Sequence, residues 1–107
     1  MFGLPDKTIN MINEIFAEYS GIEKALIYGS RARGDYRNGS DIDLALIGDV
    51  SFKEKTHISG LIYDLPIPYK CDLSIFKDIK NENLTEHIER VGKVFYERGG
   101  EINNENV

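Results

Sequence analysis

The sequence predicts a mixed α/β (α+β) domain, a sheet of at least three strands with helices packed against it, in the order α-β-α-β-α-β-α with the second helix only about a turn long. Three observations carry this. Apolar residues recur at helical spacing in three places: Ile9, Ile12, Phe16 and Tyr19; Ile58, Leu61, Ile62 and Leu65; and Leu84, Ile88, Val91 and Phe95. Between them lie short runs of branched apolar residues with the length and composition of strands. Ser20-Gly21, Asn38-Gly39, Gly48-Asp49 and the pair Pro66 and Pro68 punctuate the segments.

Taken in order, Pro5 suits the first turn of a helix and Asp6 its positive start, while Gly21 is placed to end it. Lys24 to Tyr28 is a short strand running into Gly29, and residues 30–35 form a helical turn. Asn38-Gly39 turns the chain into a second strand, Asp41 to Ile47, whose apolar content makes it central. Ser51 caps a third helix through Lys53, His57 and Leu61, with His57 on its surface. Pro66 and Pro68 break that helix before a third strand, Tyr69 to Phe76. Cys71, Leu73 and Ile75 share one face of this strand; Lys70, Asp72 and Ser74 share the other. The last helix is expected from about Leu84 to Arg98, stopped by Gly99-Gly100, with Val94 and Tyr96 off its stripe, widening the core face or else forming a partner patch. One domain is thus expected over residues 1–100, followed by a polar, frayed tail at 101–107.

A chain of 107 residues, 41% hydrophobic and 29% charged, is an ordinary single globular domain. No apolar run approaches the roughly 18 residues of a membrane span, and no signal peptide is read ahead of the first helix. The single cysteine, Cys71, forbids an internal disulfide, and two isolated histidines make no zinc set, so a cytoplasmic location is expected. A net charge of −5 argues against adhesion to nucleic acid backbone as the main business. Yet Arg31, Arg33 and Arg37 surround a single Asp35, which makes one loop locally basic. A basic spot suits a triphosphate with its metal; alternatively these arginines pair with neighbouring acids.

The chemistry concentrates around that loop. The apolar run Leu26-Ile27-Tyr28 stops at Gly29-Ser30, crosses Arg31-Ala32-Arg33-Gly34, and resumes as Ser40-Asp41-Ile42-Asp43-Leu44. Alternation along a strand points Asp41 and Asp43 the same way, with Cα atoms about 6.5 Å apart, and turns Ile42 and Leu44 to the core. Two carboxylates about 5 Å apart at an effective dielectric of about 20 repel by roughly 3 kcal/mol. A cation removes that cost, and magnesium, a hard ion shared between carboxylates and phosphates, suits the position. Gly29 allows close backbone approach or positive φ, and Ser30 offers an N–H and a hydroxyl where a phosphate binds. The bland reading is a turn followed by a strand with two solvated aspartates; the Gly-Ser pair directly upstream argues against it. If the third strand lies beside the second, Asp72 joins the same face; otherwise it pairs with a lysine at a sheet edge. Asp64 and Asp78 sit at element ends, where aspartates commonly cap.

Gly29-Ser30, ten intervening residues and Asp41-x-Asp43 resemble the signature of the polymerase-β-like nucleotidyltransferase superfamily. The short chain, with Gly-Ser-Arg-Ala-Arg-Gly followed by Ser-Asp-Ile-Asp-Leu, resembles its smallest members, the minimal nucleotidyltransferases of bacteria and archaea. The resemblance implies the nucleotidyltransferase fold and transfer of a nucleoside monophosphate, AMP from ATP, with pyrophosphate leaving. It assigns Asp41 and Asp43 to two magnesium ions, with manganese as a substitute. It gives Asp72 the metal nearer the acceptor and a share in deprotonating it. Gly29 and Ser30 hold the β- and γ-phosphates, and Arg31 is assigned an extra phosphate contact. Minimal nucleotidyltransferases of this type resemble antitoxins that accompany HEPN-domain toxins, small helical proteins that cut RNA, so the expected acceptor is a hydroxyl of such a partner. A contact-only binding module and a small-molecule, antibiotic-type nucleotidyltransferase are the rival readings. A homo-oligomer stays open.

Overall fold

In the computed structural model, which describes residues 1–99, both neighbours of the first strand run opposite to it. That strand, β1 (Ile22–Tyr28), follows helix α1 (Asp6–Ala17) and leads into the single turn α2 (Ser30–Arg33). Strand β2 (Ile42–Gly48), helix α3 (Phe52–Tyr63) and strand β3 (Cys71–Ile75) come next. A 3-10 turn (Phe76–Asp78), helix α4 (Glu82–Val91) and strand β4 (Lys93–Glu97) complete the order. The sheet runs β3-β2-β1-β4, with β2 and β3 parallel and the other pairs antiparallel. The expected frayed tail, 101–107, lies outside the described residues.

Alternation along the strands builds two unequal layers. One face carries Ile27, Leu44, Ile42, Leu73 and Ile75 against α1 and α3, through Ile12, Phe16, Ile58 and Ile62. The other carries Tyr28 and Ala45 under Ile88 of α4, with Leu26, Leu84 and Val91 at the margin. Helix α3 starts as its sequence predicts: the Ser51 hydroxyl accepts from the Glu54 N–H at 3.1 Å, and the Ser51 N–H donates to the Glu54 carboxylate at 3.1 Å. No helix among the described residues is long and apolar enough to cross a membrane.

Several element ends shift by one or two residues from expectation, and two differences bear on packing. Helix α1 ends at Ala17, with Glu18 as its cap, so Gly21 is not its C′ residue. Gly21 instead lies tight against the loop after β2, where its carbonyl accepts from the Asp49 N–H at 2.9 Å and a Cβ would run into the Asp49 carbonyl. The larger correction concerns the last helix, which stops at Val91 instead of reaching Arg98; Lys93–Glu97 is a fourth strand paired with β1. Gly92 is extended, with φ −64 and ψ 145, and its N–H closes the helix onto the Ile88 carbonyl at 2.8 Å. Beyond it Val-Phe-Tyr has the β-branched and aromatic content of a strand. Phe95 is buried and Tyr96 packs edge-on against Phe16, whereas Val94, expected on the core face or in a partner patch, is 46% exposed.

Arg98, just past β4, closes the sheet's far edge onto α1. Its guanidinium donates to the carbonyls of Ile22, Phe16, Ala17 and Tyr19 at 2.9, 3.3, 3.3 and 2.7 Å. The carbonyls around the end of α1 accept from local N–H groups, Tyr19 to Phe16 at 3.1 Å and Ile22 to Tyr19 at 3.0 Å, and take their further bonds from a residue far along the chain.

The strand assignment has an outcome opposite in sign to the helical one. Gly92→Ala places a Cβ against the Ile88 carbonyl and should destabilise the protein by about 1–3 kcal/mol in urea unfolding. Were the helix continuous, the same change would stabilise it by about 1 kcal/mol.

Candidate active site

Register brings the predicted carboxylates together. Across the antiparallel pair Tyr28 lies opposite Asp43, and across the parallel pair Asp43 lies opposite Asp72. Period-two alternation adds Asp41 to that face, while Ile42 and Leu44 are fully buried on the other. This is the α4 side of the sheet, at the end beyond the patch covered by Ile88, so Asp43 is half-buried and Asp41 and Asp72 are exposed. Among the described residues no ion pair involves any of the three, so the sheet-edge lysine is not Asp72's partner.

Gly29 is the hinge between β1 and α2. Its φ of 77 is a left-handed value that favours glycine, and a Cβ there would stand 2.6 Å from the Asp43 Oδ2. Backbone and carboxylate are in close approach, as the Gly-Ser spacing predicts. The Gly29 carbonyl accepts from the N–H groups of Ala32 and Arg33 at 3.2 and 3.1 Å, so the turn begins directly at Ser30. Its first N–H groups then have no partner within the turn.

Burial, then the neighbouring Asp72 and Asp41 charges, hold the Asp43 carboxyl above its ordinary value. The repulsion anticipated between paired aspartates is thus present, behind a desolvation effect set by the sheet. Sequence reasoning missed Tyr28 as a site residue. Its ring packs with Ala45 and Ile88 and meets His87 edge-on at 6.4 Å. Burial, with Asp43 and Asp72, raises its hydroxyl pKa, and a hydrogen bond with Ser74 opposes the rise. Tyr28 therefore stays protonated, opposite Asp43 at the edge of the site. The available signal was its position immediately before Gly29, on the face opposite Ile27. Cys71, paired with Ile42, has its thiol pushed up to about 12 by burial and then by Asp43 and Asp41, which rules it out as a nucleophile at neutral pH.

Arg31, expected to add a phosphate contact, is 3% exposed, donating from Nε and Nη2 to the Ser40 carbonyl at 3.1 and 2.9 Å and from Nη1 to the Phe2 carbonyl at 3.0 Å. Arg33 pairs with Asp35 at 3.3 Å on the surface. His57 is exposed on α3, across the sheet from the carboxylates, with its Nδ1 3.1 Å from the Tyr19 hydroxyl.

The residues present fit a divalent cation. Three hard oxygen donors share one face without a neutralising cation, and one carboxylate lies against a glycine too close for a side chain. As the side chains stand they do not close on one point; no three His, Cys, Asp or Glu side chains among the described residues form a ready ligand set.

Because its folded-state pKa is raised, Asp43 destabilises the metal-free fold once ionised. The loss begins as pH climbs above the ordinary value of 3.8 and is complete above the folded-state value. In chelator at pH 7, Asp43→Asn should therefore melt above the wild type, and the gap should close as pH falls toward 3.8. Magnesium with a triphosphate should raise the wild-type melting temperature more than the variant's. A variant that melts below the wild type in chelator would contradict the repulsion.

The protein family described as "Polymerase beta, Nucleotidyltransferase" matches residues 10–101. Over 42 residues the chain is 48% identical to the "Putative protein adenylyltransferase MJ0604" of Methanocaldococcus jannaschii, a match that takes in 38% of this chain and 42% of that protein. The matched part is thus under half of that relative's length. Among solved structures, a toxin–antitoxin crystal structure with AMP-PNP superposes with a TM-score of 0.69 at 17% identity, over 83% of this chain and 73% of the other. A mutant of the toxin–antitoxin MntA-HpeT does so with a TM-score of 0.67 at 15% identity, over 83% and 72%. At such identities these likenesses speak for the fold, which is the nucleotidyltransferase fold. With the family match running through every strand that carries the site, the chain belongs to the polymerase beta nucleotidyltransferase family.

Proposed function

We propose that the protein is a metal-dependent nucleotidyltransferase that moves AMP from ATP to a hydroxyl of a protein partner, acting as antitoxin to a HEPN-type RNase toxin. The observation that carries the chemistry is the placement of Asp41, Asp43 and Asp72 on one face of the sheet, with Gly29 pressed against Asp43. Support for the acceptor class comes from a relative named as a protein adenylyltransferase and from fold neighbours crystallised as toxin–antitoxin complexes, one with AMP-PNP.

Asp41, Asp43 and Asp72 would hold two magnesium or manganese ions, which when bound neutralise the triphosphate and lower the pKa of the acceptor oxygen. Gly29 lets the backbone approach the β- and γ-phosphates, and Ser30 donates its N–H and hydroxyl to them. Asp72, exposed on β3 next to the central strand, takes the proton from the acceptor hydroxyl. The acceptor oxygen forms its bond to the α-phosphorus, the bond to the bridging oxygen breaks, and pyrophosphate leaves with that electron pair. Asp43 is held in place by the sheet, paired with Tyr28 on one side and Asp72 on the other.

The test incubates the chain and its genomic neighbour with ATP and magnesium and follows the partner by intact-mass spectrometry. Wild type should add one AMP moiety to the partner, and Asp41→Asn with Asp43→Asn should add none while keeping a cooperative melt. Transfer that persists in the double variant would sink the mechanism; neutralisation of the partner without transfer would favour a contact-only antitoxin. Ser30→Ala should weaken triphosphate binding by about 0.5–1.5 kcal/mol and leave transfer at saturating ATP largely intact. A nucleotide found on Ser30 itself would reverse its assignment from binder to nucleophile.

A further inference from the structure

Arg31 is a buried cation whose partners are carbonyls and aromatic rings. Among the described residues it forms no ion pair, yet it is 3% exposed. Its guanidinium lies 5.1 Å from the centroid of Tyr36 and 5.1 Å from that of Tyr69, while its donors take the carbonyls of Ser40 and Phe2. Backbone carbonyls and aromatic faces can hold such a weakly hydrated, planar cation without a carboxylate.

The places it joins are the informative part. Arg31 follows Ser30 of the phosphate cradle directly; Ser40 immediately precedes Asp41; Tyr69 stands three residues before Asp72. Everything from Arg33 to Gly39 is exposed, and at Gly34 and Gly39, both with positive φ, an added Cβ would meet nothing within 4 Å. The loop joining cradle to carboxylates is therefore pinned at few points, chiefly the Tyr36 ring, which lies over Gly3 and against Arg31. Its inward anchor is this side chain, helped by the Ile42 N–H, which donates to the Lys70 carbonyl at 2.8 Å.

We infer that Arg31 is a positioning residue that fixes the spacing between the Gly29-Ser30 cradle and the carboxylates of β2 and β3. A triphosphate bound at the cradle thereby presents its oxygens where the metals are held. This rests on the reading of the site as a metal-dependent nucleotidyltransferase. Its signature is a cost that falls on metal binding and turnover, and leaves metal-free triphosphate binding alone. It also distinguishes the guanidinium from a bare positive charge, because one ammonium cannot hold two carbonyls on different segments while stacking between two rings.

Three proteins are compared with wild type: Arg31→Lys, Arg31→Met, and Tyr36→Leu with Tyr69→Leu, which removes both rings and no charge. Mn2+ binding is read by electron paramagnetic resonance with a non-hydrolysable ATP analogue present. Triphosphate affinity is read in chelator, transfer is resolved into kcat and KM, and all assays run well below each protein's melting temperature. All three variants should bind Mn2+ about 10–100-fold more weakly and lose kcat by a similar factor. Metal-free triphosphate affinity should stay within about twofold of wild type. Arg31→Lys restoring wild-type behaviour while Arg31→Met weakens metal-free triphosphate binding would overturn the inference and make Arg31 a phosphate contact. Lower melting temperatures with unchanged Mn2+ affinity and kcat would overturn it as well, leaving a purely structural residue. If Arg31→Met does not fold, the double tyrosine variant decides by the same readouts. A wild type that binds Mn2+ and transfers nothing would sink the transfer reading, and the Mn2+ titrations would still judge the bracket.

Discussion

Three strands held in register leave side-chain alternation no freedom at Asp43. Because β1 runs against β2 and β3 runs with it, one position on the central strand has Tyr28 on one side and Asp72 on the other. Sliding either neighbour by one residue would turn every side chain on it to the opposite face and bury its polar residues. The apolar halves of the strands thus enforce the placement of the polar halves: Leu44 and Leu73 can be buried only if Asp43 and Asp72 face the other way. The carboxylates are together because the core demands it, and their repulsion is carried by the core.

Magnitudes show why the arrangement is tolerable. Repulsion between two close carboxylates is on the order of 3 kcal/mol at an effective dielectric of 20. Fully burying a single Ile or Leu side chain contributes about 1.5–3 kcal/mol. On the α1 and α3 side, Ile12, Ile22, Ile27, Ile42, Leu44, Leu46 and Ile58 are all completely buried, so the charge cost is small beside the packing beneath it. The α4 side is only partly covered, by Ile88 over Tyr28 and Ala45, which leaves its other end open to ligand. Stability and chemistry occupy opposite faces of one sheet.

What could be read from the sequence was whatever a local signal carries. Ser51 as the cap of a helix, Asn38-Gly39 before a strand, and the alternation of Cys71, Leu73 and Ile75 against Asp72 and Ser74 each act over a few residues. Each has its counterpart in the structure. The fourth strand was hidden by coincidence: Leu84, Ile88, Val91 and Phe95 keep a helical spacing straight through Gly92, so periodicity outvoted the glycine. Its pairing with β1 joins residues some seventy positions apart, which no window reports. The partners of Arg31 were hidden for a related reason. An arginine beside Gly-Ser invites a phosphate, and its true partners, at Phe2, Ser40 and Tyr69, are neighbours only once the sheet has formed. Tyr28 looked like an ordinary strand residue until register set it beside Asp43.

The guanidinium of Arg98 ties the order of synthesis to the order of folding. Its hydrogen bonds to Phe16, Ala17 and Tyr19 link residues separated by 82, 81 and 79 positions. Before Arg98 is in place, the carbonyls of Phe16 and Tyr19 have only the local Tyr19 and Ile22 N–H groups as donors, and β1 keeps an open edge until β4 pairs with it. Both are completed by the same short segment. The earliest helix and the last strand therefore complete one another, and a nascent chain has little to gain from settling before Arg98 arrives. Such wiring favours a single late, cooperative closure over stepwise assembly from the amino end.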